Sequence, residues 1–134
     1  MVYSEHGQNF LKTMLRLVSE RDNLSVVADQ IGTPTYAGDL AKVILKIITE
    51  RHTEYGIYHF SNEGVASWYD FAKAIFDESN TKVKLLPINS EAYPTPAARP
   101  SFSVMDKTKI KEILDLEIPY WRDSLKDCLS KMKI

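Results

Sequence analysis

Apolar side chains recur every three or four residues along several stretches of the chain, a spacing that places them on one face of an α-helix. The longer stretches lie at residues 8–21, 40–48 and 68–76, and from 120 onward. In the last of these the apolar stripe comprises Trp121, Leu125, Cys128, Leu129 and Met132. The pattern predicts a helix at each stretch, and a shorter one that opens at Asp106 or Thr108 and ends at Leu114.

Three shorter segments have the β-branched and apolar composition of strands. They lie at residues 24–28, 57–61 and 83–88. Pro87 places the third at a sheet edge or a strand end, because proline has no N–H for a central ladder. Ser67 and Asp70 have the S-x-x-D spacing of a capping box, so we predict that the helix at residues 68–76 begins there.

The alternation of strands with helices indicates an α/β or small α+β domain. Three short strands make only a thin sheet, so a helix-rich layer must supply most of the core. The 134 residues suit one domain with a modest core, and we expect a single domain over residues 1–134. Residues 89–100 hold three of the six prolines, so we expect no helix in that segment.

Charge and composition exclude several classes of function. The chain is 44% hydrophobic and has 17 basic and 18 acidic residues, with no basic block that would favour nucleic acid or an anionic membrane. No apolar run approaches the roughly 20 residues that span a bilayer, and the N-terminus lacks the pattern of a signal peptide. The single cysteine, Cys128, excludes an internal disulfide and favours the cytosol.

The residues also give little support to catalysis by this chain alone. The five glycines stand apart, at positions 7, 32, 38, 56 and 64, so there is no glycine-rich nucleotide loop. His6, His52 and His59 lack the spacing of metal ligands. Tyr69 and Lys73 match the Y-x-x-x-K pair of short-chain dehydrogenases, but two fixed positions in five arise often by chance. We expect no metal, no bound cofactor and no catalytic residue here.

One loop concentrates hydrogen-bonding groups between two apolar segments. Its sequence, residues 29–36, is DQIGTPTY. Pro34 fixes its own φ and biases Thr33 toward extended backbone, which would order the loop in advance of ligand binding. A ligand-facing loop is one interpretation. A plain strand-to-helix turn, with Thr35 as the helix N-cap, is the other.

Several blocks of the chain, in this order and at these intervals, resemble the dTDP-4-dehydrorhamnose reductases, which are extended short-chain dehydrogenases. The most specific are DQIGTPTYAGDLA, from Asp29, and YPTPAARP, from Tyr93. The resemblance covers about residues 2–132 and corresponds to the C-terminal, substrate-binding portion of the family. The Rossmann half, with its glycine-rich loop, catalytic Thr and working Y-x-x-x-K, is not part of it. Met1 stands where the family usually has a sugar-contacting Trp.

The resemblance implies a fragment of an NAD(P)H-dependent enzyme that reduces the C4 ketone of a dTDP-6-deoxy-4-hexulose. The fragment would bind the nucleotide sugar and dock on its own Rossmann domain, and it would be inactive alone. Its exposed interdomain surface would favour self-association. Two alternatives stay open: a non-catalytic regulatory member of the same superfamily, or an enzyme that acts on another nucleotide sugar.

The resemblance and the local chemistry together select the candidate substrate-binding residues. These are Tyr3, Asn9, Gln30, Thr33, Pro34, Thr35 and Arg99. A guanidinium makes bidentate bonds to phosphate oxygens, and Arg99 sits on a proline-stiffened loop. Asn9 opens a helix, whose N-terminus favours anions. Capping by Asn9, packing by Tyr3 and a surface ion pair at Arg99 are the alternatives; Phe10 and Trp68 are expected in the core, and Tyr93 is left unassigned.

Overall fold

A computed structural model describes residues 1–132, so the last two residues of the expected domain lie outside the described part. The helices are α1 (Phe10–Glu20), α2 (Ala37–Thr49), α3 (Trp68–Glu78), α4 (Thr108–Leu114) and α5 (Trp121–Lys131). All five predicted helices are thereby confirmed. Among the described residues, no helix combines the length and apolarity that a bilayer crossing requires.

The strands form three separate two-stranded ladders within the described residues. The strands are β1 (Val2–Tyr3), β2 (Asn23–Val27), β3 (Ile31–Gly32), β4 (Thr35–Tyr36), β5 (Ala66–Ser67) and β6 (Lys84–Ile88). Strands β1 and β4 pair in parallel, as do β2 and β6, whereas β3 and β5 are antiparallel. The predicted thin sheet is therefore three short ladders between helices, and the small α/β fold class is confirmed.

Three local predictions need correction. The segment at residues 57–61 forms no strand, because its backbone has no ladder partner among the described residues. Residues Ser90–Ala92 form a 3₁₀ turn inside the proline-rich segment, which was expected to hold no helix. The predicted loop at residues 29–36 contains both β3 and β4, each only two residues long.

Helix starts follow the side-chain chemistry of their caps. Ser67 and Asp70 form the predicted capping box at the start of α3, with both reciprocal bonds present. The side chain of Asn9 accepts a hydrogen bond from the backbone N–H of Lys12 and caps α1. Helix α2 begins after Tyr36 without a side-chain cap, so the alternative role of Thr35 as its N-cap is wrong.

The main core lies where α1, α3 and α5 meet the short strands. Its largest fully buried side chains include Tyr3, Tyr36, Phe71, Ile75 and Leu125. The ring of Tyr3 lies 5.0 Å from that of Phe71 and 5.8 Å from that of Tyr36, between centroids. A smaller cluster joins α2 to α4 through Val43, Ile110, Leu114 and Ile118. The main core therefore packs against the end of the loop at residues 29–36, through Tyr36.

Candidate functional site

Backbone pairing brings the two family-like motifs together. Ile31 donates its N–H to the carbonyl of Ser101 at 2.8 Å, and Ser103 donates to the carbonyl of Ile31 at 2.8 Å. On its other side β3 pairs with β5. The segment at residues 101–103 therefore lies beside the loop at residues 29–36. This segment follows directly after Pro100, the last residue of the second motif. The end of the second motif is thereby placed beside the first.

Gln30 has both ends of its amide hydrogen-bonded inside the protein. The indole N–H of Trp68 donates to Oε1 of Gln30 at 3.2 Å, and Nε2 of Gln30 donates to Oγ of Ser90 at 3.0 Å. Ser90 in turn donates through both its hydroxyl and its backbone N–H to Asp29. These donors lower the pKa of the Asp29 carboxyl below its ordinary value, because they stabilise its charge.

An aromatic pair lies beside this amide. The rings of Phe10 and Trp68 are 4.9 Å apart between centroids, and both side chains are half-buried. Both were expected in the core, and both pack against it while keeping part of their surface in solvent. The start of α1, the start of α3 and Gln30 therefore meet at one place.

The centre of the loop is buried, and its hydroxyl groups are already paired. Thr33 donates to the carbonyl of Gly64 at 2.7 Å, and Thr35 donates to the carbonyl of Thr33 at 3.3 Å. Both threonines are less than 9% exposed, and Pro34 is fully buried. These bonds hold the shape of the loop. Only the surfaces of Thr33 and Thr35 that line an adjoining cavity remain available for direct contact with a ligand.

That cavity has a volume of about 140 Å³ and lies beside the N-terminus. Its lining includes Met1, Thr33, Thr35, Phe60, Ser61 and Ser103. Pockets for whole small-molecule ligands usually enclose about 300–1,000 Å³. The cavity can therefore hold only part of a nucleotide sugar. Ser90 and Ser103 also contact the loop at residues 29–36, but the sequence analysis did not predict them as site residues. Their position in the chain, within or close to the proline-rich segment, was the only signal available.

Two of the predicted site residues are committed to the fold. Tyr3 is 1% exposed, and its hydroxyl points into the interior without a hydrogen-bond partner among the described residues. Burial raises the pKa of that phenol well above its ordinary value. Asn9 uses its amide to cap α1 and to donate to the carbonyls of Ser4 and His6. The sugar contact of Tyr3 and the anion contact at Asn9 stay predictions, which the burial of the Tyr3 hydroxyl and the internal hydrogen bonds of the Asn9 amide do not favour.

Arg99 differs from these residues because it is exposed. Within residues 1–132 its side chain makes no hydrogen bond and no ion pair, so its surface-ion-pair alternative has no partner there. Burial, and then the nearby Arg99 charge, lowers the pKa of the Met1 amino group. Arg99 precedes Ser101 by two residues, and Ser101 pairs with Ile31. The guanidinium therefore lies on the segment next to Gln30, on the same surface as the N-terminus.

The Y-x-x-x-K pair is an ordinary feature of α3. The ammonium of Lys73 pairs with the carboxylate of Asp77 one turn further along the helix. Tyr69 is half-buried and packs against the main core. Tyr93, left unassigned from the sequence, is exposed.

Comparison with known proteins identifies the domain type. Residues 1–134 match the RmlD substrate binding domain. The chain belongs to this family. This chain is 48% identical over 135 residues to the dTDP-4-dehydrorhamnose reductase of Aggregatibacter actinomycetemcomitans, and the match covers 93% of this chain and 46% of that protein. It is 40% identical to the spore coat polysaccharide biosynthesis protein SpsK of Bacillus subtilis, covering 97% and 44% respectively.

Solved structures resemble this RmlD domain over nearly its whole length. A dTDP-4-dehydrorhamnose reductase from Bacillus anthracis, in complex with NADP, superimposes with a TM-score of 0.91 at 43% identity and covers 98% of this chain and 46% of that one. The reductase of Clostridium acetobutylicum gives a TM-score of 0.88 at 42% identity, with 96% and 45% covered. The chain spans about half the length of the curated relatives it matches.

Proposed function

We propose that residues 1–134 form a single substrate-binding domain of a dTDP-4-dehydrorhamnose reductase, and that this domain binds the nucleotide sugar. The observation that carries the proposal is the 48% identity to such a reductase over 93% of the chain. The pairing of residues 101–103 with Ile31 supports it, because that pairing places the end of the second motif beside the first.

Arg99 is the residue that we assign to the diphosphate. It is exposed and has no ion-pair partner within residues 1–132, so its five N–H donors are available to phosphate oxygens. Thr33 and Thr35 contribute the wall of the 140 Å³ cavity, where we place part of the sugar. Pro34 keeps that wall in position and makes no polar contact itself.

Holding the sugar nucleotide sets where its C4 ketone stands relative to the hydride donor, and such positioning can supply several kcal/mol of rate acceleration. The nicotinamide cofactor, NADPH or NADH, supplies the hydride in the whole reductase. The residues of this chain do not fit its pyrophosphate, because their glycines are dispersed and none forms a glycine-rich turn before a helix. No step of the reduction is therefore assigned to these residues beyond binding and orientation.

An exposed apolar face on α2 supports a partner domain. Ile44, Leu45 and Ile48 are 49%, 59% and 64% exposed, and they follow one another at helical spacing. Contiguous exposed apolar surface marks an interaction site in soluble proteins. We assign this face to a nucleotide-binding half, since the relatives are about twice as long as this chain.

The segment at residues 57–61, which the composition predicts to be a strand, supports the same partner. Tyr58 and Phe60 pack toward α4 with Ile47, whereas Ile57 is 78% exposed. Within residues 1–132 the backbone of this segment bonds to no other backbone group. Unpaired backbone groups beside an apolar helix can pair with a strand of a neighbouring sheet. The composition predicted a strand here, and we propose that its pairing partner lies in the nucleotide-binding half.

Binding to this chain tests the proposal directly. We would titrate ¹⁵N-labelled protein with dTDP and dTDP-rhamnose and follow the amide spectrum, with NADPH as the comparison ligand. The expected result is saturable shifts for residues 29–36 and 99–103 with both dTDP ligands and none with NADPH. No shift with either dTDP ligand at millimolar concentration would refute nucleotide-sugar binding by this domain.

A related enzyme with another nucleotide sugar is the second candidate. The 40% identity to SpsK, over 97% of the chain, keeps it open, because the name of that relative gives a polysaccharide pathway and no nucleotide. The thymine methyl distinguishes dTDP from UDP by only about 1–3 kcal/mol. Comparing the affinities of dTDP- and UDP-sugars in the same titration decides between the two.

A further inference from the structure

The orientation of the Gln30 amide is determined by two groups with fixed hydrogen-bonding roles. An indole N–H can only donate, so Oε1 of Gln30 must face Trp68, at 3.2 Å. At the other end, Ser90 uses its hydroxyl proton on the carboxylate of Asp29, at 2.6 Å. Its oxygen must therefore accept from Nε2 of Gln30, at 3.0 Å. Turning the amide over would place its N–H against the indole N–H, so the Gln30 amide is held in one orientation.

Half of the hydrogen-bonding capacity of this amide is unused within the described residues. A glutamine side chain has two N–H donors and two acceptor sites on its oxygen. Trp68 occupies one acceptor site and Ser90 one donor, and neither atom makes another hydrogen bond within residues 1–132. Because Gln30 is half-buried, part of its side chain still reaches solvent. One donor and one acceptor, in a fixed order, remain for a ligand.

The surroundings suit a flat heterocycle attached to a phosphate. The half-buried rings of Phe10 and Trp68 give an aromatic surface next to the amide, and such surfaces favour stacking of planar groups. Arg99 lies on the segment that pairs with Ile31, the residue that follows Gln30. A phosphate held by Arg99 would keep an attached base from turning over at Gln30.

We propose that Gln30 is a specificity-determining residue that recognises the –CO–NH– edge of a pyrimidine-2,4-dione, the base chemistry of thymine and uracil. This inference rests on the proposed nucleotide-sugar function and specifies how that site selects its base. The N3–H of the base donates to the free acceptor site on Oε1, and a neighbouring ring carbonyl accepts the free N–H of Nε2. Where that carbonyl is O4, cytosine presents the reverse order, with its N4 amino group as donor and N3 as acceptor; at O2 and N3 it presents two acceptors. In both cases Oε1 of Gln30 faces the N3 lone pair of cytosine without a donor, because Trp68 and Ser90 prevent the amide from reversing.

The test compares ligands that differ only at this edge. dTDP, N3-methyl-dTDP and 5-methyl-dCDP are titrated into the ¹⁵N-labelled chain, and the side-chain NH₂ signal of Gln30 is followed together with the backbone. Gln8 is the only other glutamine and is exposed, so its NH₂ signal serves as an internal reference. A bidentate amide-to-base contact discriminates by about 1–3 kcal/mol, roughly 5- to 150-fold in affinity. We expect at least about fivefold weaker binding of both altered ligands, with the Gln30 signal moving only with dTDP.

Variants separate recognition from packing. Gln30→Met keeps the length of the side chain but has no amide, and Gln8→Met is the matched control. Wild type and Gln8→Met should prefer dTDP over N3-methyl-dTDP, and Gln30→Met should lose that preference. Gln30→Glu keeps an acceptor for Trp68 and provides the same test if Gln30→Met does not fold.

Each result either supports or overturns the assignment. Equal affinity of wild type for dTDP and N3-methyl-dTDP overturns it and leaves nucleotide binding intact. A folded Gln30 variant that retains the full preference for dTDP overturns it as well. Failure of wild type to bind dTDP at all removes both this inference and the proposed function.

Discussion

Asn62 accepts the backbone N–H of Tyr36 through Oδ1 at 2.8 Å, and both residues are buried. The amide nitrogen of Asn62 donates to Asp39 at 2.8 Å and to Ser124 at 3.1 Å. One side chain thus joins the end of loop 29–36 to the first turn of α2 and to α5. Low-dielectric surroundings make such a network sensitive to the loss of any member.

Asn62→Ala should destabilise the domain strongly. The substitution leaves the Tyr36 N–H unpaired in the interior and deprives the buried Asp39 carboxylate of a donor. Unsatisfied buried groups cost about 1–3 kcal/mol each, so we expect a loss of roughly 3 kcal/mol in the free energy of unfolding. Urea denaturation measures it. Asn89→Ala is the matched control, because Asn89 is exposed and its side chain makes no cap bond. Equal stability of the two variants would show that the network contributes little.

Arg99→Ala should weaken dTDP binding by about 1.5–3 kcal/mol, the range for a hydrogen bond to a charged group. The loss should be similar for dTDP and for the dTDP-sugar, because the contact is to phosphate, and it should diminish as salt increases. Calorimetric titration at low salt measures both affinities. Arg21→Ala removes an exposed arginine from the C-cap of α1 and is the control. Unchanged dTDP affinity in Arg99→Ala would exclude this residue from the site.

Cys128 should be unreactive in the folded protein. It is 0% exposed, and burial, with the neighbouring Glu5 carboxylate, raises the pKa of its thiol to about 12. Because the thiolate is the reactive form, we expect labelling by a disulfide reagent at pH 8 to be at least about a hundredfold slower than in urea. Cys128 is the only cysteine, so all of the signal comes from it. Rapid stoichiometric labelling of the native chain would contradict the burial of this thiol.

The same thiol should make the fold less stable in alkali. Its pKa is about 12 when folded and near 9 when unfolded, so its contribution is complete below about pH 9 and is lost as the pH rises toward 12. The buried phenol of Tyr3, whose pKa is also raised, acts in the same direction. Urea midpoints at pH 8 and pH 10.5 measure the change. The urea midpoint of Cys128→Ala should fall less than that of wild type between these two pH values. An equal fall in both proteins would show that groups other than Cys128 cause the loss of stability.

Polar substitution on α2 should reduce self-association. Ile44 and Ile48 expose apolar surface that we assign to a partner domain, and in its absence two copies can cover that surface together. Wild type should show concentration-dependent sedimentation, and Ile44→Gln with Ile48→Gln should be closer to monomeric. Val65→Gln is the control, since Val65 is 53% exposed but lies outside α2. Monomeric wild type at high concentration would count against the interface.

The chain alone should not oxidise NADPH in the presence of the 4-keto sugar. It lacks a glycine-rich cofactor loop, and Lys73 pairs with Asp77 on α3. Loss of NADPH absorbance measures turnover, with a full-length reductase as the positive control. Turnover by the purified chain that disappears in Tyr69→Phe would restore the Y-x-x-x-K pair as catalytic.

Local periodicity and capping chemistry were sufficient for the helices. The stripe on α5 and the Ser67–Asp70 box depend only on residues within a turn or two of each other, so they can be recognised along the chain. The strand prediction at residues 57–61 failed for the opposite reason. A strand exists only where another strand pairs with it, and no described residue does so.

The sequence by itself determined the helices, the small α/β class, the family and the two motifs that form the candidate site. It did not determine which polar groups remain available to a ligand. Asn9, Thr33 and Thr35 have suitable chemistry, but the fold uses their polar groups in a cap and in backbone bonds, and it buries Tyr3. Hydrogen-bond partners and burial depend on residues distant in the chain. Only the tertiary structure therefore distinguished the exposed Arg99 and the half-satisfied Gln30 amide from residues that serve the fold.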